Sequence, residues 1–380
     1  METLFPFCAD WHWPTFVLYV SVGMTVSLLC RKGAQARYVC RKECINLYYF
    51  LAWLILMLLG GLRNIEVGPD TAFYISMFEE SGSEEYSLLS VLRQGRWEPG
   101  FMIYLYIMRV FTDSYTVLLL VTYGIVAYGY IRFISEFYKR RSDYIFLQIF
   151  IFYYVNNMSA MRSALACVFF FLSLIALCRD RFLKATLLTL AACLFHYSMI
   201  FNLYIIVAMI LLKACHFMEH RRWWVVAAIV IVIAANLALN TIQSLMTATR
   251  YAFYTRTVAA GRSLWGSVFV IAYAILAVWN MHERSLSKSR SLHSLLQATL
   301  CFMVSYPMIY FIGAYRLSYY FALPRLTVWS RIANIYRKRW FRKWDTAFRA
   351  VEQAGVILYL LFLFTRFANS GNFAYRLFIM

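Results

Sequence analysis

The chain has 380 residues, 62% of them hydrophobic, 19% aromatic and only 14% charged, with a mean hydropathy of +0.61. Too little polar surface exists to coat a soluble domain, and apolar runs recur along the whole length, so the expectation is an all-α, polytopic integral membrane unit spanning 1–380. A formal charge of +19 does not imply nucleic acid as a partner, because the basic residues sit in short clusters between apolar runs, where their first meaning is topology.

The runs do not alternate at period two, which disfavours a β-barrel. Nine cysteines are scattered without a paired CxxC, so neither a disulfide framework nor a zinc site is indicated. The first residues lack a basic stretch and a small-residue cleavage site, and no removed signal peptide is expected.

In chain order, residues 14–30 form a first crossing, followed at once by Arg31, Lys32, Arg37, Arg41 and Lys42. That cluster belongs in the cytoplasm and leaves the N-terminus outside. A second crossing, 45–62, emerges into an external polar segment, 63–115. Within it Phe101–Phe111 gives roughly 16 Å of helix, too short for a core of about 30 Å, and reads as re-entrant or interfacial. Crossing 116–134 returns to Arg132, Lys139, Arg140 and Arg141; 144–155 leads out to a break at Asn156-Asn157-Met158-Ser159; 163–178 returns to Arg179, Arg181 and Lys184.

Two further crossings, 181–195 and 199–212, hinge at Phe195-His196-Tyr197-Ser198. Crossing 225–240 leads to an external loop, 241–263, and 264–281 returns. Crossings 294–312 and 318–330 precede a basic cytoplasmic loop, 331–343, and 351–366 ends outside. About 12 crossings result, and treating the pair around His196 as one would put Arg331–Lys343 outside, against the positive-inside rule.

Every basic residue placed outside by this scheme is an arginine, among them Arg63, Arg162, Arg250, Arg256 and Arg316. The guanidinium fork grips phosphate oxygens in pairs and stays charged, which suggests a phosphate or pyrophosphate ligand at the surface. The competing reading is that interfacial arginines snorkel to lipid headgroups. Arg162 and Arg316 fit that less well, since each opens a mostly apolar helix.

Asp70 and Glu98 are candidate bases toward a sugar hydroxyl. Alternatively, Asp70 caps a helix starting at Thr71, and Glu98 caps another or pairs with an arginine. His196 sits at an outer helix junction, either as catalyst or as packing residue. The aromatic excess is mostly an interface belt, although such rings also stack on sugars. No metalloprotease, nucleotide-binding, hydrolase-elbow or dinucleotide motif is present, so no metal or cofactor is indicated.

Five blocks resemble one family. They are Gly61-Leu62-Arg63 leading to Gly68-Pro69-Asp70-Thr71 with Tyr74; Glu98-Pro99-Gly100-Phe101; Met161-Arg162-Ser163-Ala164-Leu165-Ala166; Phe195-His196-Tyr197-Ser198; and Arg316 with Tyr320-Phe321. In that order and spacing they resemble the EpsG-like branch of the Wzy-type bacterial polysaccharide polymerases. Ser163 departs from the glutamine usual there.

The resemblance implies a GT-C-like helical fold in the bacterial inner membrane with the site on the periplasmic or outer face. It also implies transfer of a growing glycan from undecaprenyl pyrophosphate to a new lipid-linked repeat unit of O-antigen, capsule or exopolysaccharide. Its partners would be the lipid-linked donor and acceptor, the bilayer and a chain-length regulator. On this reading Arg63, Arg162, Arg250, Arg256 and Arg316, with Tyr320, hold the pyrophosphate, and Asp70, Glu98 or His196 activates the acceptor without a metal. A lipid-linked oligosaccharide flippase or an O-antigen ligase are the alternatives.

Overall fold

The computed structural model describes residues 13–39, 46–83, 87–94, 97–139, 143–214, 290–311, 317–340 and 342–366. The expected crossings 225–240 and 264–281, the loop 241–263, and Arg250, Arg256 and Arg316 lie outside the described residues. What is described is helical: α1 Trp13–Val39, α2 Leu47–Gly61, α3 Thr71–Glu80, α4 Leu88–Gln94, α5 Pro99–Phe111, α6 Tyr115–Phe137, α7 Asp143–Leu147, α8 Phe150–Met158, α9 Met161–Leu177 and α10 Phe182–Phe195. A 3₁₀ turn, Tyr197–Ile200, links α10 to α11 Phe201–Ala214; then come α12 Arg290–Phe311, α13 Leu317–Tyr320, α14 Ala322–Trp340 and α15 Asp345–Arg366. No β-sheet occurs among the described residues.

Helix α9 reads apolar all round and is buried on nearly every side, packed by α6, α8, α10 and α12, as expected of a central helix. The peripheral helices instead keep one apolar stripe exposed. On α10 this is Leu183, Leu187, Leu190 and Leu194, with Leu183 76% exposed; on α6 it is Val117, Val121, Ile125 and Tyr128. Exposed apolar stripes around a core that buries Arg63, Glu98 and Asp143 are the arrangement of a protein solvated by lipid. Among the described residues three helices, Trp13–Ala36, Tyr115–Phe137 and Thr346–Phe364, are long and apolar enough to cross a bilayer singly.

The helices share two distinct ends. The end of α2 meets the start of α6, where a side chain on Gly60 or Gly61 would overlap Tyr123 or Leu120; small residues let these two backbones approach. Arg179, just past α9, pairs with Glu136 at the end of α6 at 2.7 Å, so α6 and α9 run parallel. Ser173 of α9 meets Thr189 of α10 at 2.9 Å, and Asn202 in the first turn of α11 reaches Thr189 at 2.8 Å, closing a polar knot inside the α9–α11 packing. The ends of α2, α8 and α10 and the starts of α6 and α9 therefore gather at one end. The opposite end carries Arg132, Lys139, Arg179, Arg181 and Lys184.

Three sequence expectations change in detail. The crossing expected at 144–155 is two pieces, α7 and α8, broken at Gln148-Ile149, where backbone bonds shorten to three-residue spacing. There the Gln148 amide exchanges hydrogen bonds with Gln353 of α15 at 3.1 and 2.8 Å.

The segment 331–343 is expected as a loop, yet α14 runs to Trp340 and a short 3₁₀ turn follows. Arg331 and Arg337 are buried because they find acids: Arg331 lies 2.8 Å from Asp143 and Arg337 3.7 Å from Glu352. Ser330 and the Lys139 amide also bond Asp143, at 2.9 and 3.0 Å.

The polar segment 63–115, expected to face water, folds as α3, α4 and α5 over the end of the bundle. Arg63 is left 1% exposed and Glu98 2%. Helix α5, at 13 residues, begins with Gly100 against Leu194 at the end of α10 and finishes just before α6. Both of its ends thus lie at the same end of the bundle, beneath which the polar side chains collect.

Candidate functional site at the gathered helix ends

Glu98 occupies the N-cap position of α5, with Pro99 pre-set for the first helical turn. Its side chain makes no cap bond and points instead to two other helices. Oε2 accepts from Arg162 Nη1 at 2.5 Å, and Oε1 lies 3.2 Å from His196 Nδ1. The Tyr197 amide also donates to Oε1, at 3.4 Å. Arg162 opens α9 and His196 ends α10, so one carboxylate joins three elements separated by 64 and 98 positions.

Burial alone would raise the Glu98 pKa. The hydrogen bond from His196 and the charge of Arg162 outweigh it and pull the pKa down from 4.5 to about 2. The carboxylate is therefore ionised throughout the physiological range and accepts hydrogen bonds instead of protons.

Arg162 is held on further sides. Its Nε donates to Tyr74 Oη at 3.3 Å, and its guanidinium sits 4.7 Å from the Trp97 ring centroid and 5.8 Å from that of Tyr74, a cation–π clamp. Among the described residues Nη2 donates to nothing, and the side chain keeps 19% of its exposure. The positive end of α9 adds to the charge at Arg162 Nη2. His196 likewise spends Nδ1 on Glu98, while Nε2 has no hydrogen bond among the described residues.

Asp70 lies one turn ahead of Tyr74 at the start of α3. It caps nothing with its side chain and has no ion pair or side-chain hydrogen bond among the described residues. Its position is set by Gly68, at φ +94°, a left-handed conformation that glycine adopts without strain. A Cβ there would stand 2.9 Å from that of Ser159, at the end of α8, so the turn is pressed against the α8–α9 junction from which Arg162 projects.

Arg63 is near this group in sequence but bonded elsewhere. Its Nη2 reaches Met158 O at 2.5 Å, Tyr123 Oη at 3.1 Å and Thr71 Oγ1 at 3.2 Å, and its guanidinium lies 4.5 Å from the Tyr123 ring centroid. It ties the ends of α2 and α8 to the start of α3. Tyr320 is buried beside Phe170, halfway along α9, away from the Arg162 end.

The structure thus gathers Glu98, Arg162 and His196, sets Asp70 on the same side of α3 as Tyr74, and gives Arg63 and Tyr320 other surroundings. Trp97 was not singled out from sequence, though its position immediately before Glu98 was the available signal. Among the described residues no group of three or more His, Cys, Asp or Glu comes together to hold a metal.

Searches of curated proteins and of solved structures find no match to this chain. A family model described as the EpsG family matches residues 46–378, most of the chain and all of the site, and the chain therefore belongs to the EpsG family.

Proposed function

We propose that this EpsG-family protein is a membrane glycosyltransferase of polysaccharide biosynthesis, a Wzy-type polymerase. It would move a growing glycan from undecaprenyl pyrophosphate onto a new lipid-linked repeat unit. Family membership supports the polysaccharide role. The observation that carries the reaction is the convergence of an anion-ready Arg162 and an oriented His196 on one ionised Glu98.

In this reading His196 Nε2 removes the proton of the acceptor hydroxyl, and the oxygen's electron pair forms the new bond to the donor's anomeric carbon. The bond from that carbon to the pyrophosphate oxygen breaks, and the leaving group keeps the electron pair. Positive charge arriving on the imidazole meets the Glu98 carboxylate through Nδ1 and the negative end of α10, an orienting role like that of the acid in a hydrolytic triad. Negative charge arriving on the pyrophosphate meets the open Nη2 of Arg162 and the positive end of α9. Asp70 is assigned to the acceptor side, with a carboxylate that no neighbour neutralises among the described residues. Arg250, Arg256 and Arg316 are assigned to the pyrophosphate as arginines on the face expected to be external.

The same reading carries a single membrane domain of about 12 crossings in a GT-C-like arrangement. It sits in the bacterial inner membrane with the site on the periplasmic face, and a chain-length regulator is a partner. The orientation is supported by arginine at the site end and by the mixture of lysine and arginine at the other.

Purified protein in detergent, given lipid-linked repeat units alone, tests the reading. Wild type is expected to produce a ladder of glycan lengths. Arg162→Ala and His196→Ala, inserted normally, are expected to lose at least about a hundredfold in rate. Arg162→Lys should recover little, because an ammonium cannot hold Glu98 and an anion in one plane. Wild-type ladders from both alanine variants would sink the proposal. Reaction only after a different acceptor is added would make the protein a ligase, and translocation in liposomes without chemistry would make it a flippase.

A further inference from the structure

Phe73 is 44% exposed, yet it does not belong to the lipid-facing stripes. The face of α3 around it carries half-buried Ser76 and exposed Glu79 and Glu80, polar neighbours unlike the leucine stripe exposed on α10. Its ring stands 5.5 Å from that of Trp97, at 54°. Trp97 is half-buried, with Arg162 over its ring, and is bonded through the backbone to Glu98. Phe73 and Tyr74 are adjacent, and Tyr74 Oη holds Arg162. Two aromatic rings therefore form a ledge running from water to the reacting groups, fixed at both ends by residues of the site.

We propose that Phe73 and Trp97 are a carbohydrate-stacking platform that receives a sugar ring of the lipid-linked repeat unit beside the reacting sugar. This rests on the glycosyltransferase reading and adds a subsite to it. A pyranose presents a patch of C–H groups on its face and hydroxyls around its edge, matching an aromatic ledge bordered by polar groups. Here those are Arg162, over the Trp97 ring, and Asp70, one turn before Phe73 on α3. Burying the ring and the sugar face removes apolar surface from water, and the electron-rich ring face meets the polarised C–H groups. An interface anchor would need lipid on the exposed side of Phe73, where Ser76, Glu79 and Glu80 stand instead.

The test uses the full chain in nanodiscs and the repeat-unit oligosaccharide released by mild acid from the producing cell's lipid-linked pool. Saturation-transfer NMR on wild type is expected to mark ring C–H protons of one sugar. Phe73→Ala, at a side chain that is 44% exposed and outside the buried core, is expected to weaken that binding about tenfold, and Phe73→Tyr to restore it. With lipid-linked substrate, Phe73→Ala should raise KM about tenfold with kcat within about twofold. Trp97→Phe should fall between wild type and Phe73→Ala, since a smaller ring persists.

No transfer to the free oligosaccharide in wild type, or unchanged binding and KM in Phe73→Ala, would overturn the platform. If the oligosaccharide binds in a Phe73-dependent way while lipid-linked units are not polymerised, the platform stands and the polymerase reading falls.

Discussion

Glu98 is the residue on which the site turns, and its environment decides its chemistry. A carboxylate moved out of water ordinarily holds its proton more tightly, but here the His196 hydrogen bond, the Arg162 charge and the residue's own backbone amide reverse the balance. The linkage has a definite sign: with the folded-state pKa lowered to about 2 from 4.5, the stabilisation is fully present above pH 4.5 and is lost as pH falls through about 2. The gap in melting temperature between wild type and Glu98→Gln in detergent is therefore expected to shrink steadily below about pH 4.5. Thermal melts across that range would check it, and a gap that widened on acidification would show that Glu98 is protonated in the folded protein. The sequence displayed Asp70, Glu98, Arg162 and His196 as candidates through residue type and family-like spacing. It could not show which of them meet, because the partners of Glu98 lie 64 and 98 positions away and only helix packing brings them together.

At the scale of elements, the site is held by how closely helices approach. Gly60 and Gly61 let α2 lie against α6, and that contact places Arg63 where it can bind the Met158 carbonyl at the end of α8. A side chain at Gly60 would strike the Tyr123 ring, which itself donates to Met158 O at 2.5 Å. Gly60→Leu is thus expected to cost about 1–3 kcal/mol of stability by overpacking. It should also lower glycan synthesis although it touches no reacting group, because Arg63 and the α8–α9 junction move together. Melting temperature and activity measured on the same preparation would check this, and a stable but inactive variant would assign Gly60 a role other than spacing.

Helix positions were legible wherever apolar runs were long, as for α1, α6 and α9. The break between α7 and α8 was not, because Gln148 looks like an ordinary polar residue until its partner Gln353 is known. Nor was the continuation of α14 past Arg331, since a run of arginines reads as a loop unless buried acids at Asp143 and Glu352 are in view.

Across the whole molecule, two charged ends are separated by helices whose exposed faces are apolar. One end holds Glu98, Arg162 and His196 beneath α3–α5. The other is locked by the buried pair of Asp143 and Arg331, which joins the start of α7 to α14, while Arg331 also donates to the Phe137 carbonyl at the end of α6. Breaking such a pair leaves one charge uncompensated, so the end carrying the lysines is built to stay closed while the site end keeps an open donor at Arg162 Nη2 and an open acceptor at His196 Nε2. The proposed orientation follows from the positive-inside rule, which would put the lysine-bearing end in the cytoplasm and the site outside.

Two exposed positions test that orientation with little effect on packing. Asp113, between α5 and α6, has an 89% exposed side chain and lies at the site end, while Lys184, in the first turn of α10, is exposed at the other. In intact cells stripped of outer barriers, a membrane-impermeant maleimide is expected to label Asp113→Cys above the wild-type background. Lys184→Cys should label only after the membrane is opened. The opposite pattern would invert the protein, place the Glu98 site against the cytoplasm, and remove the basis for a periplasmic glycan transfer even if the geometry of the site stood unchanged.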